Sequence, residues 1–117
     1  MFKNILIVGC GLIGSSILRA SINKKISKNF FVYEKSKKNI REIKKINKKI
    51  IILKKLNNKI SDMDFVIIAT PMSQYERVIP LLNKHLSKKS LITDVGSTKE
   101  NISKLKKIAY QSRLIGL

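Results

Sequence analysis

"ILIVGCGLIGSS", residues 5–16, is the stretch that decides the fold. Four consecutive aliphatic residues, Ile5 to Val8, read as a buried strand. The chain then turns on Gly9, Gly11 and Gly14 before apolar and small residues open a helix. Each glycine has its own physical task at this spacing. Gly9 permits the tight turn, Gly11 lets a ligand approach the backbone, and Gly14 lets the helix pack close to the strand. A helix that begins at such a turn offers unpaired N–H groups to an anion. G-x-G-x-x-G alone is a weak signal, but a strand before it and a helix after it give it a mechanism.

That mechanism asks for an acid about 20 residues further on, at the end of the second strand. Glu34, in "FFVYEKS" at residues 30–36, stands there, and its carboxylate suits the hydroxyls of a ribose. Strand, turn, helix and acid together point to a bound dinucleotide. The plain alternative is a glycine turn that only joins strand to helix. Cys10 lies between the glycines, where a small side chain is needed, and reads as packing rather than redox chemistry. NAD is expected over NADP because Glu34 repels a 2′-phosphate. Lys35, Ser36, Lys37 and Lys38 follow at once and keep NADP open, although lysine is spread through the whole chain.

Outward from the turn, short β-rich runs alternate with helical patterns. Strands are expected at Asn4–Val8, Phe30–Glu34, Ile50–Leu53, Phe65–Thr70 and Leu91–Val95. Most are continuous runs of Ile, Val, Leu and Phe, as when both faces of a sheet are covered. A helix is expected over Leu12–Lys25, and Ile40, Ile43, Ile46 and Ile50 mark a second. Pro71 suits the first turn of a helix running to about Leu86, and Pro80 should kink that helix or shift its start. The crossover between Leu53 and Phe65 has room for little more than a helical turn. Ile102, Leu105, Ile108 and Ala109 give a last helix its apolar face, and "RLIGL" at 113–117 opens a sixth strand. The alternation predicts an α/β, Rossmann-type doubly wound parallel sheet, a single domain over residues 1–117.

Bulk composition narrows the partners. At 117 residues, 44% hydrophobic and with mean hydropathy of −0.05, the chain is globular in composition. Its apolar runs, such as "FVIIA" at 65–69, are too short to cross a bilayer, and its first residues lack a secretory pattern. One cysteine forms no internal disulfide, which fits a reducing, cytoplasmic setting. The net charge of +18 would ordinarily raise nucleic acid or an anionic membrane as partners. Only four of the 25 basic residues are arginine, aromatics are 6%, and the lysines are scattered, so a solvated surface is expected, with no nucleic acid and no membrane. No metal site is expected.

In open α/β sheets ligands bind beyond the carboxyl ends of the strands. Ala69, Thr70 and Pro71, in "IIATPMSQYE", and Asp94 with Gly96, in "LITDVGSTKENI" at 91–102, occupy those ends. Ser97 followed three residues later by Glu100 is also a helix capping box, and Asp94 is equally a strand-end acid held by backbone amides.

At this point the sequence resembles the prephenate/arogenate dehydrogenases of tyrosine biosynthesis over the whole chain. "ILIVGCGLIGSS" is similar to that family's first turn, "DFVIIATP" to its fourth strand, and "LITDVGSTKENI" to its Asp-Val-Gly-Ser-x-Lys turn, the most specific of the three. The resemblance implies an NAD(P)-dependent oxidative decarboxylation of prephenate or arogenate. It puts the 94–99 turn against the nicotinamide end and gives Ser97 an orienting place in the active site. The candidate cofactor residues are then Gly9, Cys10, Gly11, Leu12, Ile13 and Gly14 from the first turn, with Glu34 and Lys35 after the second strand. Ala69, Thr70, Pro71, Asp94 and Gly96 complete the set.

The family pattern also includes a His-Pro-x-x-Gly motif bearing the general base, and a helical second domain for substrate binding and dimerisation. His85, the sole histidine, does not match that motif and reads as a helix-end residue. None of Arg19, Arg41, Arg77 or Arg113 matches the substrate-binding arginine. The expectation is therefore the cofactor-binding part of a longer, homodimeric enzyme, inactive alone. The competing readings are a stand-alone dinucleotide-binding regulatory module, and a related dehydrogenase or reductase for another small acid or imine.

Overall fold

The structure, a computed structural model, describes residues 2–95 and 114–116. Its centre is β1 (Phe2–Val8), in which Ile5, Leu6, Ile7 and Val8 have no solvent exposure at all. A strand sends alternate side chains to opposite faces, and here both faces are covered. Leu6 and Val8 join one hydrophobic cluster with Val78, Ile79 and Leu82, while Ile5 and Ile7 join another with Leu18 and Ile43. The chain therefore builds two cores, one on each side of a single sheet.

The elements follow in strict alternation. After β1 come α1 (Leu12–Asn23), β2 (Ser27–Tyr33), α2 (Lys37–Ile46) and β3 (Ile51–Leu53). A 3₁₀ turn at Asn58–Ile60 replaces a crossover helix before β4 (Phe65–Ile68). Another at Met72–Gln74 leads into α3 (Tyr75–His85), followed by β5 (Leu91–Asp94) and β6 (Leu114–Gly116). All pairings are parallel, in the order β3-β2-β1-β4-β5-β6. Order reverses at β1 and β4, the switch point where such sheets bind ligands. The doubly wound parallel sheet expected from the sequence is the observed fold.

Element ends differ from the expected ones for identifiable reasons. β2 starts at Ser27, before the apolar run, because the register Phe2↔Ser27 and Asn4↔Asn29 pairs polar residues along β1. β1 likewise begins at Phe2, where the Asp64 carboxylate accepts the N–H groups of Lys3 and Asn4 at 2.7 and 2.9 Å. Ile50 belongs neither to α2 nor to β3; it is a buried loop residue after the helix ends at Ile46. β4 stops at Ile68 and β5 at Asp94, each shorter than its apolar run. α1 ends at Asn23, and Lys25 takes a positive φ of 52° in the turn that follows.

The helix expected from Pro71 starts instead at Tyr75, after the 3₁₀ turn, and runs through Pro80. A proline there supplies no N–H to the carbonyl of Glu76, one turn earlier. Glu76 and Pro80 are both exposed, so water can take that carbonyl. The opposite face of α3 buries Val78, Ile79 and Leu82 completely. Replacing Leu82 with Ala should destabilise the domain by about 2–5 kcal/mol. In urea unfolding the midpoint should fall with the slope unchanged.

Candidate nucleotide-binding site

A cavity of about 700 Å³ opens at the carboxyl ends of β1, β2 and β4. The first turn lines it with Gly9, Cys10, Gly11, Leu12 and Ile13. Glu34 and Lys35 enter after β2, and Ala69, Thr70 and Pro71 after β4. The fold thus brings together ten of the residues singled out from the sequence. Gly14 lies beneath, buried, and Gly96 and Ser97 fall outside the described residues, as do the 97–100 capping box and the last expected helix.

The three glycines differ as the spacing implies. Gly9 has φ of +85°, and a Cβ there would come within 2.5 Å of Thr70 Cγ2. A Cβ on Gly14 would lie 2.6 Å from the carbonyl oxygen of Gly9, so only a glycine lets α1 sit this close to the strand end. A Cβ on Gly11 would meet nothing within 4 Å. Its missing side chain serves no contact inside the protein and leaves space over the helix start. α1 has no acidic residue in its first turn and no side-chain cap, which leaves its N-terminal N–H groups to an anion.

Glu34 is half-buried and held by four donors. Oε1 accepts from Cys10 N at 2.9 Å and Asn39 Nδ2 at 3.1 Å; Oε2 accepts from Lys35 N at 2.9 Å and Ser36 N at 3.2 Å. Burial alone would raise its pKa. The hydrogen bonds from Cys10, Ser36, Asn39 and Lys35 outweigh it and hold the carboxyl below its ordinary value. All four lone-pair positions are occupied, so any further donor would have to share or displace one of these four. Burial, and then the charge of Glu34, push the Cys10 thiol up to about 11; it is a protonated packing group at neutral pH.

Asp94, expected as a cofactor contact, is fully buried and does not line the cavity; its neighbour Val95 does. Tyr75 Oη donates to Asp94 Oδ1 at 2.5 Å. Burial, and then Asp94, raise the pKa of Tyr75, which therefore keeps the proton it donates. Asp94 carries the β5 end and ties it to the start of α3. The residues that sequence reasoning missed are Tyr33, Asn39, Gln74, Tyr75, Arg77 and Val95. Asn39 carried a faint signal, three residues after the Ser36 cap of α2; the others meet only through the fold.

A nucleotide fits these residues on the structure's own terms. Thr70 Oγ1 is shut off from solvent without a hydrogen-bond partner among the described residues, Gly11 leaves open space, and the cavity volume is within the common ligand range of roughly 300–1,000 Å³. Among the described residues no three His, Cys, Asp or Glu side chains gather to hold a metal. No described helix is long and apolar enough to cross a membrane.

Parallel sheet, switch-point cavity and glycine turn define a nucleotide-binding domain of the dehydrogenase type. Residues 18–116 match the family model for the prephenate dehydrogenase nucleotide-binding domain, and the chain belongs to that family. The match begins inside α1, so it stands independently of the glycine turn.

Solved structures agree on the fold. Prephenate dehydrogenase from A. aeolicus, in complex with hydroxyphenyl propionate and NAD+, is 24% identical over 99% of this chain and 41% of that one, with a TM-score of 0.84. Synechocystis arogenate dehydrogenase is 22% identical over 97% and 40%, with a TM-score of 0.72. A pyrroline-5-carboxylate reductase from Coxiella burnetii is 23% identical over 99% and 43%, with a TM-score of 0.78. The chain spans about two-fifths of the length of each.

The glycine geometry makes a paired prediction. Gly14→Ala should lower the melting temperature by several degrees and disturb the turn, because the clash is with backbone. Gly11→Ala should change stability by no more than about 1 kcal/mol yet weaken dinucleotide binding. Thermal melts and cofactor titrations of both variants test the pair.

A second prediction concerns acid. The folded pKa of Glu34 lies below its unfolded value of 4.5, so its contribution to stability is present above that pH and lost as pH falls through the folded value. Wild-type stability should fall on acidification below about 4.5, and Glu34→Gln should lack that part of the loss in urea unfolding measured across pH.

Proposed function

We propose that the chain is the cofactor-binding part of an NAD(P)-dependent enzyme that oxidatively decarboxylates prephenate or arogenate in tyrosine biosynthesis. The observation that carries this reading is the shared cavity of Gly11 and Glu34, in a chain of the prephenate dehydrogenase family. The A. aeolicus relative with hydroxyphenyl propionate and NAD+ supports the substrate class and the cofactor.

In this proposal the N–H groups of the α1 start and Gly11 hold the pyrophosphate, and Glu34 takes the adenosine ribose. Leu12, Ile13, Ala69, Thr70 and Pro71 enclose the cofactor, and Thr70 Oγ1 gains a partner from it. Asp94 acts from below by holding the end of β5 against Tyr75, and Ser97 orients the substrate. When bound, the cofactor supplies the hydride acceptor, and loss of the ring carboxylate as CO2 leaves an aromatic product. The remaining tasks of the protein are to orient the reactants and remove a hydroxyl proton.

The base for that proton lies outside this chain in the proposal. His85 ends α3, whose opposite end reaches the cavity through Tyr75, and an α-helix of that length spans about 15 Å. The proposal adds a helical substrate and dimerisation domain, a homodimer and a cytoplasmic setting. NAD is preferred to NADP because the Glu34 charge faces the site of a 2′-phosphate; Lys35, exposed beside it, is the group that would favour NADP. The reductase reading draws on the comparable likeness to pyrroline-5-carboxylate reductase; the Asp94-Val95-Gly96-Ser97 turn favours the dehydrogenase.

The chain should bind NADH more tightly than NADPH, seen as a shift of nicotinamide fluorescence, and form no aromatic product from prephenate or arogenate. Tighter NADPH binding would reverse the cofactor preference. Turnover by the chain itself would refute the placement of the base, and binding of neither nucleotide would refute the cofactor reading.

A further inference from the structure

The acid end of the cavity holds a group that the glycine turn and Glu34 leave without a task. Arg77, exposed on the first turn of α3, reaches over the sheet ends to β2. Its Nε and Nη2 donate to Gln74 Oε1 at 3.2 and 3.0 Å, and its Nη1 donates to Tyr33 Oη at 3.0 Å. The guanidinium carbon lies 5.9 Å from the centre of the Tyr33 ring. Arg77, Gln74 and Tyr33 all line the cavity beside Glu34.

Three hydrogen bonds in the guanidinium plane fix its orientation as well as its position. An exposed arginine held this way has already lost much of its rotamer freedom, which lowers the entropic cost of a further contact. A guanidinium pinned by its edge offers a ligand its flat, weakly hydrated face, and such faces stack on aromatic rings. Tyr33 immediately precedes Glu34, so the group that meets the ribose and the group that orients the arginine are neighbours in the chain. A base attached to a ribose at Glu34 has Arg77 within the same cavity.

We infer that Arg77, clamped by Gln74 and Tyr33, is the wall of an adenine subsite and binds the base through the face of its guanidinium. The inference rests on the dinucleotide reading above and adds a recognition element to it. Two of the five guanidinium N–H groups are not used by Gln74 or Tyr33. A phosphate at the ribose could use them, but the Glu34 carboxylate that lines the same cavity opposes that charge. Stacking is the reading the arrangement favours, and the phosphate reading is an outcome of the test.

The test titrates wild type, Arg77→Ala, Arg77→Lys and Tyr33→Phe with NADH, NADPH, AMP and reduced nicotinamide mononucleotide, which lacks the adenosine half. Arg77→Ala should weaken NADH and AMP by a similar factor, roughly tenfold, and leave the mononucleotide unchanged. Arg77→Lys keeps the charge without the plane and should recover only a small part. Tyr33→Phe removes one orienting bond and should weaken NADH by a smaller factor than Arg77→Ala.

Equal loss for the mononucleotide, or full recovery by lysine, would overturn the stacking assignment. A larger loss for NADPH than for NADH would make Arg77 a phosphate ligand instead. If wild type binds none of the four, the dinucleotide reading fails and this assignment fails with it. If wild type binds and Arg77→Ala binds equally well, only the assignment of Arg77 falls.

Discussion

The approach of α1 to the end of β1 is the constraint on which the site depends. A Cβ on Gly14 would stand 2.6 Å from the Gly9 carbonyl oxygen, and a Cβ on Gly9 would run into Thr70. With both absent, the helix start comes down onto the mouth of the sheet between β1 and β4, where the strand order reverses. The unpaired N–H groups of α1, the β4 end at Thr70 and the open space above Gly11 then share one cavity. Larger residues at positions 9 and 14 would push the helix away and separate these parts.

Electrostatics at this mouth are organised around a single acid. Glu34 stays ionised because four donors outweigh the effect of burial. One of those donors is the Cys10 N–H, so the glycine turn and the β2 end hold each other in place. Burial, and then the charge of Glu34, keep the Cys10 thiol protonated. Of the chain's many charges, Glu34, Lys35 and Arg77 line this cavity.

A second brace lies on the other side of the switch point. Tyr75 begins α3, lines the cavity and donates to the buried Asp94 at the end of β5. The phenol keeps its proton because burial and Asp94 both disfavour the phenolate. The β4 crossover and the β5 end are thereby tied together directly beneath the cavity wall.

The sequence by itself determined the architecture and the first half of the site. Continuous apolar runs on strands, three-to-four spacing on helices and three glycines at one turn are local patterns with local causes. The expected parallel doubly wound sheet, the single helical turn between Leu53 and Phe65, and the gathering of Glu34 with Gly11 followed from them. Element ends were less legible. Ser27 and Asn29 are drawn into β2 by a partner strand, and the start of α3 at Tyr75 depends on the 3₁₀ turn before it. Only the tertiary structure decided that Asp94 is buried beneath Tyr75, and that Arg77 meets Tyr33 across 44 residues of chain. Such contacts join side chains from separate elements, and their hydrogen bonds exist only once the sheet has set the distance between them.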